Sequence, residues 1–311
     1  MIGGKTVKDT VLEIDDFVVS FRMYTKGCRK KSLEVIHSLS LSIQKGEIIA
    51  VVGSSGSGKS ILASAILNLL PKNACVDGTI RYHGESLNRK TVKKYLGNEI
   101  AFIPQSVSYL DPLMRVGKQV MGVNGTKEEK DLMFEKYELA KEVGDMYPFE
   151  LSGGMARRVL ISGAVMKQPK LIIADEPTPG LTIELAMETL HHFKEIANQG
   201  GSILLITHDI DLALEVADKI AVFYAGTIVE IAPTSDFVAG KNALRHPYSK
   251  AFLDALPQNG MHPLAGTQPY AGNLPKGCLF ADRCNLCDEA CSGCIPMREV
   301  RDGKVRCVHA D

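Results

Sequence analysis

A chain of 311 residues, 45% hydrophobic and 23% charged, has room for one large domain or two modest ones and for a sizeable buried core. Lys plus Arg and Asp plus Glu each number 36, so the formal net charge is zero, which argues against nucleic-acid binding through bulk positive charge. No stretch approaches about 18 uncharged apolar residues, and the N-terminal MIGGKTVKDTVLEIDD lacks an apolar segment, so neither a membrane span nor a secretory signal is expected. Any work at a membrane would be done as the partner of a protein that spans it.

Residues 11–21 and 39–43 alternate in polarity and read as strands, and Lys45-Gly46-Glu47 reads as a turn. The run Ile48-Ile49-Ala50-Val51-Val52 reads as a buried parallel strand. A Gly/Ser loop follows, then a helix from near Ser60 through Leu70, ended by Pro71. Residues 85–147 are more polar and read mainly as helices, and the charged stretch 127–141 reads as a solvated helix face. Leu171-Ile172-Ile173-Ala174 and Ser202-Ile203-Leu204-Leu205-Ile206 read as two further buried strands, separated by a helix over about 184–198. Strand, helix, strand is the pattern of a parallel sheet, whose ligands bind beyond the carboxyl ends of its strands. After Thr234 the chain is rich in Pro, Gly and Asn, and regular patterning fades. No internal repeat is evident.

The strongest chemical signal is Gly53-Ser54-Ser55-Gly56-Ser57-Gly58-Lys59-Ser60, a full match to G-x-x-x-x-G-K-[ST] between a buried strand and a helix. Glycines let the backbone curl so that successive N–H groups face a triphosphate, and the helix aims its positive dipole end at the same place. Lys59 can reach the β- and γ-phosphates and Ser60 can hold Mg²⁺. The strand at 171–174 delivers Asp175 to the sheet edge, where it can hold the water shell of Mg²⁺, and Glu176 can polarise an attacking water.

Leu151-Ser152-Gly153-Gly154-Met155 names the class. The sequence resembles the ATP-binding cassette (ABC) ATPases from about residue 11 to 232, with the phosphate loop, Ile103-Pro104-Gln105, the LSGGM signature, Asp175-Glu176-Pro177-Thr178 and Thr207-His208-Asp209 in the expected order. The resemblance implies an α/β fold: a P-loop NTPase core with a mixed sheet, an inserted helical subdomain over about 85–158, and a C-terminal extension over 233–311. It implies that Lys59, Ser60 and the backbone of 53–58 bind phosphates and Mg²⁺, that Gln105 senses metal and water, and that Glu176 is the general base. It also implies that His208 meets the γ-phosphate, and that an aromatic, Phe21 or Tyr24, stacks on adenine. In this family Ser152, Gly153 and Gly154 open a helix facing the γ-phosphate bound by an opposite subunit, so hydrolysis needs two such domains. Thr182 stands where relatives usually carry an Asp that helps couple the two sites, Arg157-Arg158 replaces the commoner Gln-Arg, and the segment between Gln105 and Leu151 is short.

The tail narrows the resemblance. His246-Pro247-Tyr248, Gly277-Cys278-Leu279-Phe280 and Arg283-Cys284 are similar to the extension of oligopeptide, dipeptide and nickel importer ATPases. Of eight cysteines, six fall between Cys278 and Cys307, and a Cys-dense tail in a cytosolic protein more often binds metal than forms disulfides. The resemblance implies that Cys278, Cys284, Cys291 and Cys307 hold a [4Fe-4S] cluster. Zn²⁺ is the alternative, and Cys284-x-x-Cys287 with Cys291-x-x-Cys294 also has zinc spacing. The expected protein is an ABC ATPase at the cytoplasmic face of a membrane, driving uptake of peptides or a chelated metal such as nickel. Its expected partners are two permease subunits, a solute-binding protein and a second, different ATPase subunit that supplies the Asp missing at Thr182, with no nucleic acid. The rival readings are a redox- or metal-sensing regulatory ATPase and an ABC protein unrelated to transport.

Overall fold

The computed structural model describes residues 9–24, 30–54 and 56–311. Its strands are β1 (Thr10–Tyr24), β2 (Lys30–Gln44), β3 (Ile48–Val52), β4 (Ala74–Tyr82), β5 (Glu85–Ser86) and β6 (Ile100–Ile103), then β7 (Leu171–Asp175), β8 (Ser202–Thr207), β9 (Lys219–Tyr224), β10 (Thr227–Pro233), β11 (Arg298–Val300) and β12 (Gly303–Val305). The α-helices are α1 (Lys59–Ile66), α2 (Val92–Tyr95), α3 (Val116–Met121), α4 (Lys127–Lys136), α5 (Gly153–Val165), α6 (Ile183–Asn198), α7 (Ile210–Val216), α8 (Thr234–Val238) and α9 (Pro247–Asp254). The chain divides into two compact units. The first holds the chain up to Val11, Ile43–Ile48 and Asn88–Thr207; the second holds Leu12–Ser42, Ile49–Leu87 and His208–Asp311.

In the first unit, β6, β7 and β8 pair in parallel, with Ile100 opposite Leu171 and Leu171 opposite Ser202. Every residue of β7 and β8 is buried, as the unbroken apolar runs require of strands covered on both faces. A second core forms among the helices, where Val116 and Val120 of α3, Phe134 of α4 and Val159 of α5 converge with Leu110 and Val143. A reciprocal cap starts α4: the Thr126 hydroxyl accepts from the Glu129 amide while the Glu129 carboxylate accepts from the Thr126 amide. The charged run at 127–141 departs from a wholly solvated face at Lys130, which is only 5% exposed. Its stem is buried while its ammonium pairs with Asp131 and lies 4.8 Å from the Phe134 ring centre, a way to bury a long cationic side chain without losing its partners.

In the second unit, β2, β1, β4 and β5 form one sheet in that order, with β1 and β4 antiparallel from Leu12 opposite Tyr82 to Phe21 opposite Ala74. The order β11-β12-β10-β9-β3 forms another set, in which β3 and β9 are parallel and the remaining neighbours antiparallel. Ala225 and Gly226 (φ 46° and 90°) make the tight turn between β9 and β10. A Cβ at Gly226 would come within 2.5 Å of the Val35 carbonyl oxygen, so only glycine fits.

Two expectations are corrected here. The helix after the phosphate loop stops at Ile66 instead of reaching Leu70, because Asn68 turns left-handed (φ 55°) and Leu69 donates back to the Ser64 carbonyl at 2.8 Å. The chain after Thr234 is more regular than its composition suggests, holding α8, α9, β11 and β12, each too short for periodicity to register. A buried carboxylate ties this segment to β10. Glu230 accepts from the amides of Arg245 and His246, both at 2.8 Å, and Arg245 also donates to Asp236 and to the Val300 carbonyl. Among the described residues no helix is long and apolar enough to cross a membrane.

Candidate functional site

The second unit carries the phosphate loop. β3 is followed by Gly53, where a Cβ would lie 2.3 Å from the Phe223 carbonyl oxygen, so the chain passes β9 at a distance only glycine allows. Gly56 (φ 75°) and Gly58 (φ 108°) then take left-handed conformations, and Gly58 caps α1. The curl folds Lys59 inward, so that its ammonium donates to the Gly53 and Ser54 carbonyls at 2.8 and 3.0 Å and the side chain is largely buried. The Ser57 hydroxyl is buried with no hydrogen-bond partner among the described residues. Ser60 is exposed on the first turn of α1, and Ser55 lies outside the described residues. Phe21 is half-buried opposite Ala74, whereas Tyr24 is 73% exposed. His208 is exposed just before Asp209, whose carboxylate caps α7 by accepting from the Leu212 amide.

The first unit carries the carboxylates and the signature. Asp175 ends β7, and Glu176 follows with φ 49°, its amide donating to the Ile206 carbonyl at 2.8 Å. A left-handed glutamate is costly and persists only where its surroundings impose it, a feature common at functional sites. Both carboxylate residues are nearly buried. Ser152 caps α5 by accepting from the Met155 amide at 3.2 Å, leaving the amides of the first turn, Gly153 and Gly154 among them, at the positive end of the helix. A Cβ at Gly154 would stand 2.8 Å from the Gly180 carbonyl oxygen. Thr182 is exposed and caps α6, its hydroxyl accepting from the Leu185 amide.

Arg157 gives the signature helix a second task that the motif reading missed. Its guanidinium is only 5% exposed and donates to the Pro104 carbonyl at 2.6 Å and to the Gln105 carbonyl. Burial draws its pKa down, and Asp175 and Glu176 act against that shift. Gln105 itself is exposed, so α5 fixes its backbone and leaves its side chain available. One buried cation thus joins the signature helix, the glutamine loop and the carboxylate pair electrostatically.

The tail thiols lie in the second unit. Burial pushes the Cys278 thiol up to about 11, and Cys291, Cys284 and Cys307 each add to the shift, as neighbouring thiols do. Cys307 is likewise raised by burial, with Cys284 and Cys291 contributing. The Cys278 amide donates to the Cys291 carbonyl at 2.9 Å, and a Cβ at Gly277 would meet that same oxygen at 2.1 Å. Four thiolates around one tetrahedral Zn²⁺ would stand roughly 4 Å apart, given Zn–S bonds near 2.3 Å. Among the described residues no three cysteines converge within 4.8 Å; the one convergent donor group is Asp288, Cys291 and His309. Neither the Cys278-Cys284-Cys291-Cys307 set nor the Cys284-Cys287-Cys291-Cys294 set gathers within that distance among the described residues, and Cys287 and Cys294 are both exposed. The Cys287 thiol is raised like that of Cys278, by desolvation first, with Cys291 and Cys284 contributing.

Residues 36–179 match the ABC transporter family, and residues 229–291 match the C-terminal region of oligopeptide/dipeptide transporters. The chain is 34% identical to the probable D,D-dipeptide transport ATP-binding protein DdpD of Escherichia coli, across 96% of this chain and 95% of the relative. It is 33% identical to the oligopeptide transport ATP-binding protein OppD of the same organism, across 96% and 92%. Among solved structures, a dimeric ATP-binding cassette in a post-hydrolysis state with ADP and Pi superposes with TM-score 0.63 at 23% identity, across 72% of this chain and 98% of that one. A nucleotide-free cassette from an ABC transporter gives 0.61 at 22% identity, across 78% and 98%. These structures share the fold.

Proposed function

The chain belongs to the ABC transporter family of ATP-binding proteins and is an ATPase, and from that membership we propose that it drives uptake of peptides through partner membrane subunits. The observation that carries this reading is the presence, in one chain, of the cassette and of the C-terminal region of oligopeptide/dipeptide transporters. Residues 1–232 form the ATPase domain, with a helical subdomain at about 85–158, and residues 233–311 form the extension. A chelated metal such as nickel is the alternative cargo.

ATP is held by the amides of the 53–58 loop and by Lys59, whose ammonium leaves the Gly53 and Ser54 carbonyls for the β- and γ-phosphates. Ser60, Asp175 and Gln105 would hold Mg²⁺ and its waters, which would neutralise charge on the phosphates; Glu176 positions the attacking water, and His208 contacts the γ-phosphate. Phe21 or Tyr24 stacks on adenine. Ser152, Gly153 and Gly154 present the N-terminus of α5 to a nucleotide bound by a second ATPase subunit. Positioning and charge stabilisation supply most of the rate gain for such a transfer. Because Arg157 grips the Gln105 backbone, movement of α5 reaches the metal-sensing glutamine directly.

The ATPase partner is a different chain carrying Asp where this one has Thr182, whose hydroxyl is used in capping α6. A [4Fe-4S] cluster would be held by Cys278, Cys284, Cys291 and Cys307 and would cross-link the tail. Two measurements test the reading. In membrane vesicles holding the co-purified permease and ATPase subunits, peptide delivered by the solute-binding protein should raise ATP hydrolysis; ATPase activity indifferent to peptide would argue against import. Anaerobic purification should give iron and sulfide, whereas zinc alone would assign a zinc site.

A further inference from the structure

Ser54, the second residue of the phosphate loop, is held from two sides. From inside, its carbonyl accepts from the Lys59 ammonium at 3.0 Å. From outside, its hydroxyl donates to Oε1 of Gln268 at 3.0 Å, across 214 positions of sequence. Burial raises the Tyr248 phenol, and Ser54 offsets part of the rise.

The surroundings of that contact are firmly built. His246 caps α9 by accepting from the Tyr248 amide at 3.0 Å, and the Tyr248 ring packs at 4.3 Å on Tyr224 and 5.4 Å on Phe280. The loop bearing Gln268 is fastened by Arg283, which donates to the Ala265 carbonyl at 2.9 Å and the Leu264 carbonyl at 3.3 Å. The same guanidinium lies over the Phe280 ring, 5.8 Å from its centre.

We propose that the C-terminal extension completes the nucleotide site, with Gln268 as a positioning residue that holds Ser54 and keeps the phosphate loop in its binding shape. The inference rests on ATP occupying the 53–60 loop. When ATP draws the Lys59 ammonium toward its phosphates, Ser54 gives up its inner anchor. Gln268 then holds the curl, so less of the ordering is left for the nucleotide to impose. The effect falls on affinity, because Gln268 holds the loop and not the reacting atoms.

Titration of the full-length chain with MgATP and MgADP tests this. Gln268→Ala should weaken both nucleotides about three- to tenfold, the range of one lost hydrogen bond. Ser54→Ala should match Gln268→Ala, and the double variant should be no worse than the weaker single one, as expected for two ends of one interaction. In the assembled transporter KM for ATP should rise while kcat stays within about twofold. Gln268→Ala that binds like wild type or tighter, losses that simply add in the double variant, or a fall in kcat at unchanged KM would overturn the proposal. Failure of the wild-type chain to bind MgATP would contradict the nucleotide reading instead.

Discussion

The ends of β3 and β7 and the extension beyond Pro233 are built in opposite ways. At the strand ends, main-chain hydrogen bonds and buried apolar runs fix the backbone first, and the reactive side chains stand on it: Lys59 on the curl after β3, Glu176 on the left-handed step after β7. In the extension, regular elements are short, and side chains do the fastening: Glu230 to Arg245 and His246, and Tyr248 to Tyr224 and Phe280. A side-chain change should therefore alter chemistry at the strand ends while sparing the fold, and should loosen structure in the extension.

The largest expected effect lies at the strand end. Glu176→Gln should slow ATP turnover by about 10²- to 10⁴-fold, the usual contribution of a positioned base, while leaving ATP binding and thermal stability close to wild type. A melting temperature that collapses with the rate would break the contrast between the two regions. Next comes Glu230→Ala, which strips a fully buried carboxylate from Arg245 and should lower unfolding stability by about 3–5 kcal/mol, measured by chemical denaturation.

A smaller effect should appear with pH. Burial holds the His246 imidazole down at about 3, so the folded protein keeps it neutral while the unfolded chain protonates it below its ordinary value near 6.5. Between those values the unfolded state binds the extra proton, so stability falls as pH falls. Wild type should lose about 2 kcal/mol from this group between pH 6.5 and 5, and His246→Asn, which can still cap α9, should lack that component. Equal pH slopes in the two proteins would remove His246 from the account. The smallest effect should be Thr126→Ala, which breaks the reciprocal cap of α4 and should reduce stability by about 1 kcal/mol without changing ATP binding.

The same contrast explains what the sequence made legible. β3, β7 and β8 are unbroken apolar runs, and the glycines at 53, 56 and 58 mark where the backbone must pass close or turn left-handed, so local patterns suffice there. Arg157 was visible only as a departure from a family pattern. Its acceptors are main-chain carbonyls 52 and 53 positions earlier, and a carbonyl leaves no mark in sequence. Gln268 is equally silent, since its contact with Ser54 depends on Arg283 placing a loop without regular structure. Lys130 read as solvent-facing because charge patterning shows the ammonium and hides the stem. Thr182 read as a missing carboxylate, yet its hydroxyl fills the capping position of α6.

ATP hydrolysis by the assembled transporter, followed in vesicles with peptide-loaded solute-binding protein and with either wild-type chain or Glu176→Gln, tests the central claim most directly. The account expects hydrolysis that rises with delivered peptide in the wild type, and ATP that is bound yet scarcely hydrolysed in the variant. Hydrolysis by Glu176→Gln at the wild-type rate, or wild-type hydrolysis unaffected by peptide, would contradict it.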